Sequence, residues 1–206
     1  MTDLLLNLHI LGGSLSLIAA AGALVTEKGQ TRHRLLGKLY SAGMTMVFLT
    51  ALPLAVVRPN AFLFLIAIFS FYLVFSGYRF AVNRRGPAAS IDWLATALLG
   101  LAGIGMAVMS VLLLKAGDDQ WVTMGVFAAI AIAFSVVDGR RLTSAWPTGK
   151  ERIAKHLTNM LGGTIATVTA TLVVNVQTDP VWIAWVAPTA LMTPIIIYWN
   201  RRTLRQ

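Results

Sequence analysis

Seven stretches of this chain, each 18 to 23 residues long, contain no aspartate, glutamate, lysine or arginine. They cover residues 4–26, 39–57, 59–78, 93–114, 120–137, 156–178 and 180–200. A helix crosses the hydrocarbon core of a membrane with about 20 apolar residues, because each residue advances it by about 1.5 Å. With 57% hydrophobic and 12% charged residues, the chain is too apolar for a soluble domain of this size.

The sequence therefore predicts an all-α membrane protein, a bundle of seven transmembrane helices that forms a single domain over residues 1–206. The predicted helices cover about 4–25, 34–57, 60–82, 91–116, 120–142, 153–176 and 181–200.

Basic residues are concentrated in alternate connectors. The first, third and fifth connectors and the C-terminal tail hold 15 of the 17 lysines and arginines, whereas the second and fourth hold only Arg58 and Lys115. The positive-inside rule then predicts an N-terminus outside and a C-terminus in the cytoplasm. The same placement accounts for the net charge of +9, which indicates contact with anionic lipid headgroups and not with nucleic acid.

The chain contains no cysteine. This excludes disulfides, thiolate nucleophiles, iron–sulfur clusters and covalently attached c-type haem. A haem or a metal ion would have to be held by other side chains.

Two histidines are predicted at the cytoplasmic boundary. His33 begins a series at helical spacing that continues with Gly37, Tyr40 and Met44, and His156 begins a similar series on the sixth helix. Imidazole binds haem iron and divalent metals.

The two histidines could therefore hold haem b, with Tyr40 and Met160 beside it, or could hold a divalent metal together with Asp92 and Asp138. Arginines available to balance haem propionates are Arg34, Arg79, Arg140 and Arg141. The alternative is that both histidines simply bond to headgroups or connectors at the interface.

His9 differs from the other two histidines, since it lies inside the first span near its outer end. An ionisable residue within a span is a candidate for function, here as an outer-leaflet ligand or a proton-transferring group. About 20 Å of membrane separates it from the predicted pair, so it cannot share their site.

The sixth helix carries the least lipid-like face of the chain. A polar stripe follows His156 at spacings of three and four, with Thr164 at its edge: Asn159, Gly163, Thr164, Thr167, Thr171 and Asn175. Such a face is expected to point into the bundle, as packing between helices or as the lining of a path. The second reading supports a transporter or channel for a small solute or proton, and a third reading makes the protein a structural subunit.

Several motifs resemble a family of small bacterial integral membrane proteins that carry a domain of unknown function. They are Leu8-His9-Ile10 with Gly12-Gly13, the connector from Lys28 to Tyr40, Asn159-Met160 with Gly162, and Pro188-Thr189. The resemblance implies a bundle of seven or eight helices in the bacterial inner membrane and no established activity. It also draws attention to His9, His33 and His156. The sequence leaves open whether the protein is an enzyme and whether it forms a homo-oligomer.

Overall fold

All seven charge-free stretches form α-helices in the computed structural model, which describes residues 2–205. The helices are α1 (Thr2–Val25), α2 (Thr31–Val57), α3 (Ala61–Val82), α4 (Ser90–Ala116), α5 (Gln120–Ser144), α6 (Gly149–Asn175) and α7 (Trp182–Arg205). Each of the seven is long and apolar enough to cross a membrane. Helices suit these sequences because a helix satisfies its own backbone polar groups where lipid offers no partners.

The predicted boundaries differ most at the charged ends of α6 and α7. Helix α6 begins at Gly149, four residues before the predicted start, and α7 continues to Arg205, five residues beyond the predicted end. Lysine, arginine and glutamate favour helix in water as well as at the interface. The charge-free stretches therefore mark the apolar part of each helix and not its full length.

Helices α3 and α6 pack against each other and divide the molecule into two bundles. We call α1, α2, α3 and α6 the first bundle; its buried core includes Ala19, Tyr40, Met44 and Val74. We call α3, α4, α5, α6 and α7 the second bundle; its core includes Tyr72, Leu99, Met106 and Met124. Residues on α3 and α6 can therefore contribute to either bundle.

Helices α1 and α2 approach closely at small residues. A Cβ atom added to Gly43 would contact the hydroxyl oxygen of Ser16 and lie 2.9 Å from the carbonyl oxygen of Gly12. Gly12 and Ser16 are four residues apart, so they lie on one face of α1. Close contact between backbones is a main source of attraction between helices in lipid, where apolar burial gives little.

Gly43→Ala is expected to lower the free energy of unfolding by about 1–3 kcal/mol. The new methyl group would clash with the backbone carbonyl of Gly12, which cannot move without shifting α1. Gly37→Ala on the same helix is the matched control, since a Cβ there meets no described atom within 4 Å. It should be neutral or stabilise by up to about 1 kcal/mol through helix propensity. Unfolding titrations with SDS measure both variants, and equal effects would contradict the close contact.

Candidate functional site

The two polar series on α2 and α6 face each other in the first bundle. We call this contact the α2–α6 seam, formed by His33, Tyr40 and Met44 on α2 with His156, Met160, Gly163 and Thr167 on α6. The spacing of each series was visible in the sequence, but the pairing of the two helices was not. The seam places the predicted cofactor residues His33, His156, Tyr40 and Met160 in one region.

His33 and His156 lie next to each other at one end of the seam. Their ring centres are 6.4 Å apart and their planes are nearly perpendicular, at 86°. Nδ1 of His33 lies 3.1 Å from the carbonyl oxygen of Ala23, and Nδ1 of His156 lies 2.9 Å from that of Gly77. A carbonyl only accepts, so Nδ1 donates in both rings, which leaves each neutral imidazole with its lone pair on Nε2.

The carbonyl that holds His33 is one of the last of α1. The final carbonyls of a helix have no partner within the helix, so they accept from nearby side chains. The Lys28 ammonium donates to Ala23 and, at 2.5 Å, to Leu24. Partial burial lowers the pKa of Lys28 from its ordinary value. Lys28 and His33 together close the C-terminal end of α1 and fix the orientation of the His33 ring.

The carbonyl that accepts a hydrogen bond from His156 belongs to a glycine, Gly77 of α3. A Cβ atom added to Gly77 would lie 3.0 Å from the backbone nitrogen of Met160, so α3 and α6 are close at this level. The imidazole of His156, one turn before Met160, then reaches the Gly77 carbonyl directly. A larger residue at position 77 would force the two helices apart.

Deeper in the seam, Tyr40 crosses from α2 to α6. Its hydroxyl lies 3.4 Å from Oγ1 of Thr167, which itself donates to the carbonyl of Gly163 at 2.9 Å. A Cβ atom on Gly163 would lie 2.9 Å from the Tyr40 hydroxyl oxygen. Gly163 therefore makes room for the tyrosine between α2 and α6.

The two aspartates predicted as metal ligands lie in the second bundle and have other partners. Asp138 accepts from Nζ of Lys155 at 2.6 Å and from the hydroxyl of Tyr72 at 2.7 Å. Asp92 forms two hydrogen bonds with Arg79, both 2.7 Å long, and also accepts from the backbone nitrogen of Ala89.

Among residues 2–205, no group of three or more histidine, aspartate or glutamate side chains could hold a metal ion. The structure therefore does not support the predicted metal site of His33 and His156 with Asp92 or Asp138. The reason is that a buried carboxylate needs a nearby cation, and Lys155 and Arg79 supply one to each aspartate.

Of the four arginines proposed to balance haem propionates, two are paired with carboxylates and two are exposed. Arg79 is paired with Asp92, and Arg141 is paired with Glu151. Arg34 and Arg140 are exposed, and Arg34 directly follows His33. Of the four proposed arginines, Arg34 is the one adjacent in sequence to a histidine of the pair, and it is exposed.

The sequence did not indicate that Tyr72 and Lys155 are the partners of Asp138. Tyr72 is one of several aromatic residues in an apolar helix, and nothing in its neighbours distinguishes it. Lys155 lies in the first turn of the predicted sixth helix and counts among the basic residues of the fifth connector, but its side chain is only 15% exposed and is paired with Asp138. The available signal was the unexplained Asp138 near the end of a span, since a buried carboxylate requires a partner.

His9 forms a separate contact towards the other end of the first bundle. Its Nδ1 lies 3.1 Å from Oγ1 of Thr50. That hydroxyl donates to the carbonyls of Met46 and Val47, so Nδ1 of His9 donates to Thr50. His9 thus joins α1 to α2, away from the histidine pair.

The polar stripe of α6 is interior over only part of its length. Asn159, Gly163 and Thr167 are buried and Thr164 is partly buried, but Thr171 and Asn175 are exposed. The prediction that the whole stripe faces the interior is therefore wrong for the last two. Their side chains tolerate this because each donates to a carbonyl of α6, as Thr164 and Thr167 also do. The donors of the stripe are engaged with their own helix, which favours the packing interpretation over a path.

Comparison of the chain with protein-family models, with curated proteins and with solved structures gives no match.

Proposed function

We propose that this protein binds one b-type haem through His33 and His156 and uses it in electron transfer at the membrane boundary. The observation that carries the proposal is the histidine pair itself, with ring centres 6.4 Å apart. Two metal–nitrogen bonds of about 2 Å, with about 1 Å from each nitrogen to its ring centre, would separate two axial imidazoles by about 6 Å. The spacing of the pair agrees with that value.

The hydrogen bonds of the two rings also support ligation by Nε2. Histidines that ligate a metal usually donate their other ring nitrogen to a carbonyl or carboxylate, which fixes the tautomer and the ring orientation. His33 and His156 both donate from Nδ1 to backbone carbonyls. Each Nε2 therefore carries the lone pair that a metal requires.

A haem fits this donor set better than a bare divalent ion. Structural and catalytic metal ions usually take three or four protein ligands, and the described residues offer no such group beside the histidines. Haem iron takes four ligands from the porphyrin and needs only two from the protein. The exposed Arg34 would pair with a propionate. The haem would supply one-electron chemistry, and the protein would supply axial ligands and a low-dielectric site.

The proposed setting is the bacterial inner membrane, which the resemblance to the bacterial family implies, with the N-terminus outside and the C-terminus in the cytoplasm. The charge asymmetry supports it, because consecutive spanning helices bring the three basic connectors and the tail to one end of the bundle. The histidine pair then lies at the cytoplasmic boundary and His9 in the outer half.

Absorption spectroscopy of protein purified from haem-replete cells tests the proposal. We expect a Soret band that shifts on reduction with dithionite, and about one b-type haem per chain by the pyridine haemochrome assay. Elemental analysis should find iron in the same amount. A colourless protein that also fails to take up added haem would overturn the haem proposal.

Cysteine labelling is expected to give the proposed orientation, because the chain has no cysteine of its own. Asp118→Cys lies between α4 and α5 and should react with a membrane-impermeant maleimide in intact cells. Lys150→Cys, in the first turn of α6, should react only after the membrane is permeabilised. The reverse pattern would contradict the orientation without affecting the haem proposal.

A further inference from the structure

A groove of about 290 Å³ opens between α5, α6 and α7, in a region separate from the α2–α6 seam. It lies at the end of the bundle that carries the basic connectors, since its walls include Arg141 near the end of α5 and Glu151 in the first turn of α6. Its volume is close to roughly 300 Å³, the lower end for small-molecule sites. That is room for a headgroup and not for a whole lipid.

The polar lining of the groove carries two cations, Arg141 and Lys155, and one anion, Glu151. Arg141 is paired with Glu151, and the two side chains are 36% and 53% exposed. An exposed pair of this kind contributes only about 0–1 kcal/mol, so an incoming anion can take the place of the glutamate. Lys155 bonds Asp138, and its ammonium has further N–H groups to donate.

Asn200 provides a second and independent indication of a ligand. Its Nδ2 donates to Oγ1 of Thr158 at 2.5 Å. Its Oδ1 is buried and accepts no hydrogen bond within the described part of the chain. A buried acceptor without a donor costs about 1–3 kcal/mol, which a hydroxyl group of a ligand in the groove would recover.

The other walls of the groove are apolar and open towards lipid. They include Ala133 and Val137, which are exposed one turn apart on α5. An acyl chain can lie along such side chains while its headgroup stays at the polar lining. The groove therefore combines sites for an anion, a hydroxyl donor and a hydrocarbon chain.

We propose that this groove binds an anionic phospholipid with a hydroxyl-bearing headgroup, of the phosphatidylglycerol type. The phosphate lies between Arg141 and Lys155, a headgroup hydroxyl donates to Oδ1 of Asn200, and an acyl chain follows Val137 and Ala133. Arginine and lysine side chains near the membrane boundary attract anionic headgroups. The site is independent of the haem proposal.

Native mass spectrometry in detergent tests the proposal with three lipids of equal acyl chains: phosphatidylglycerol, phosphatidylethanol, which has the charge without the hydroxyls, and phosphatidylcholine. We expect phosphatidylglycerol to bind about tenfold more tightly than phosphatidylcholine. It should exceed phosphatidylethanol by about threefold or more. Equal affinity for phosphatidylglycerol and phosphatidylcholine would overturn the proposal.

Two variants locate the site. Arg141→Gln should weaken phosphatidylglycerol binding about tenfold, whereas the control Arg140→Gln removes the same charge from a residue that does not line the groove and should change it less than twofold. Asn200→Ala should abolish the preference over phosphatidylethanol. Equal losses in the two arginine variants would indicate general attraction to the basic surface and overturn the proposal. Competition by soluble glycerol 1-phosphate at the affinity of the lipid would do the same, since the ligand would then be soluble.

Discussion

Replacing Asp138 with alanine is expected to lower the free energy of unfolding by about 3–5 kcal/mol, because it leaves the Lys155 ammonium buried without its counter-ion. The side chains of Asp138 and Lys155 are only 4% and 15% exposed, so water compensates only in part for the lost partner. The Tyr72 hydroxyl also loses its acceptor. SDS titration of the purified protein in detergent micelles measures the change.

A double variant separates the loss of the pair from the loss of one charge. Asp138→Leu with Lys155→Met should recover most of the stability, because apolar side chains of similar size often replace a buried ion pair without cost. Asp119→Ala is the control, since its exposed carboxylate caps no backbone group of α5, and it should change the stability by about 0.5 kcal/mol or less. A loss of less than about 1 kcal/mol in Asp138→Ala would contradict the buried pair.

Replacing either His33 or His156 with alanine is expected to weaken haem binding at least about a hundredfold, because each supplies one of the only two protein ligands. Haem that remains should change from six-coordinate and low-spin to five-coordinate and high-spin. Added imidazole should restore the low-spin spectrum, since it can occupy the space that the side chain leaves. Titration of the haem-free variants with haem, followed by absorption, gives both the affinity and the spin state.

The control for this pair is His9→Ala. His9 bonds Thr50 and lies apart from the pair, so its loss should leave haem affinity and spectrum unchanged. If His9→Ala abolished haem binding while His33→Ala and His156→Ala retained it, the haem would belong to another part of the molecule.

The helices could be predicted from the sequence because lipid imposes a simple local rule. A stretch without charges must form a helix, and a turn with several charges must lie outside the hydrocarbon core. Asn83-Arg84-Arg85 accordingly separates α3 from α4. The rule does not give the partners of charged residues near the interface, such as Lys155, which lies in the predicted sixth helix and bonds a buried carboxylate.

The candidate site could be predicted only in part, because helical spacing gives the residues on a face and not the helix that the face meets. His33 and Tyr40 share one face of α2 by spacing, but the contact of Tyr40 with α6 depends on the room that Gly163 leaves for its hydroxyl. The position of His156 depends on Gly77 of α3, where α3 and α6 are close. The aspartates illustrate the opposite error. Asp92 and Asp138 were grouped with the histidines by depth alone, whereas the packing of α3, α4, α5 and α6 gives each a cation of its own.

The electron paramagnetic resonance spectrum of the ferric protein tests the haem site most directly. Two axial imidazoles whose planes are nearly perpendicular, as His33 and His156 are at 86°, give a low-spin signal with one unusually large g value. We predict that signal in the wild-type protein and its loss in both His33→Ala and His156→Ala. A high-spin signal from the wild-type protein, or no haem uptake at all, would contradict the assignment of the two histidines to one iron.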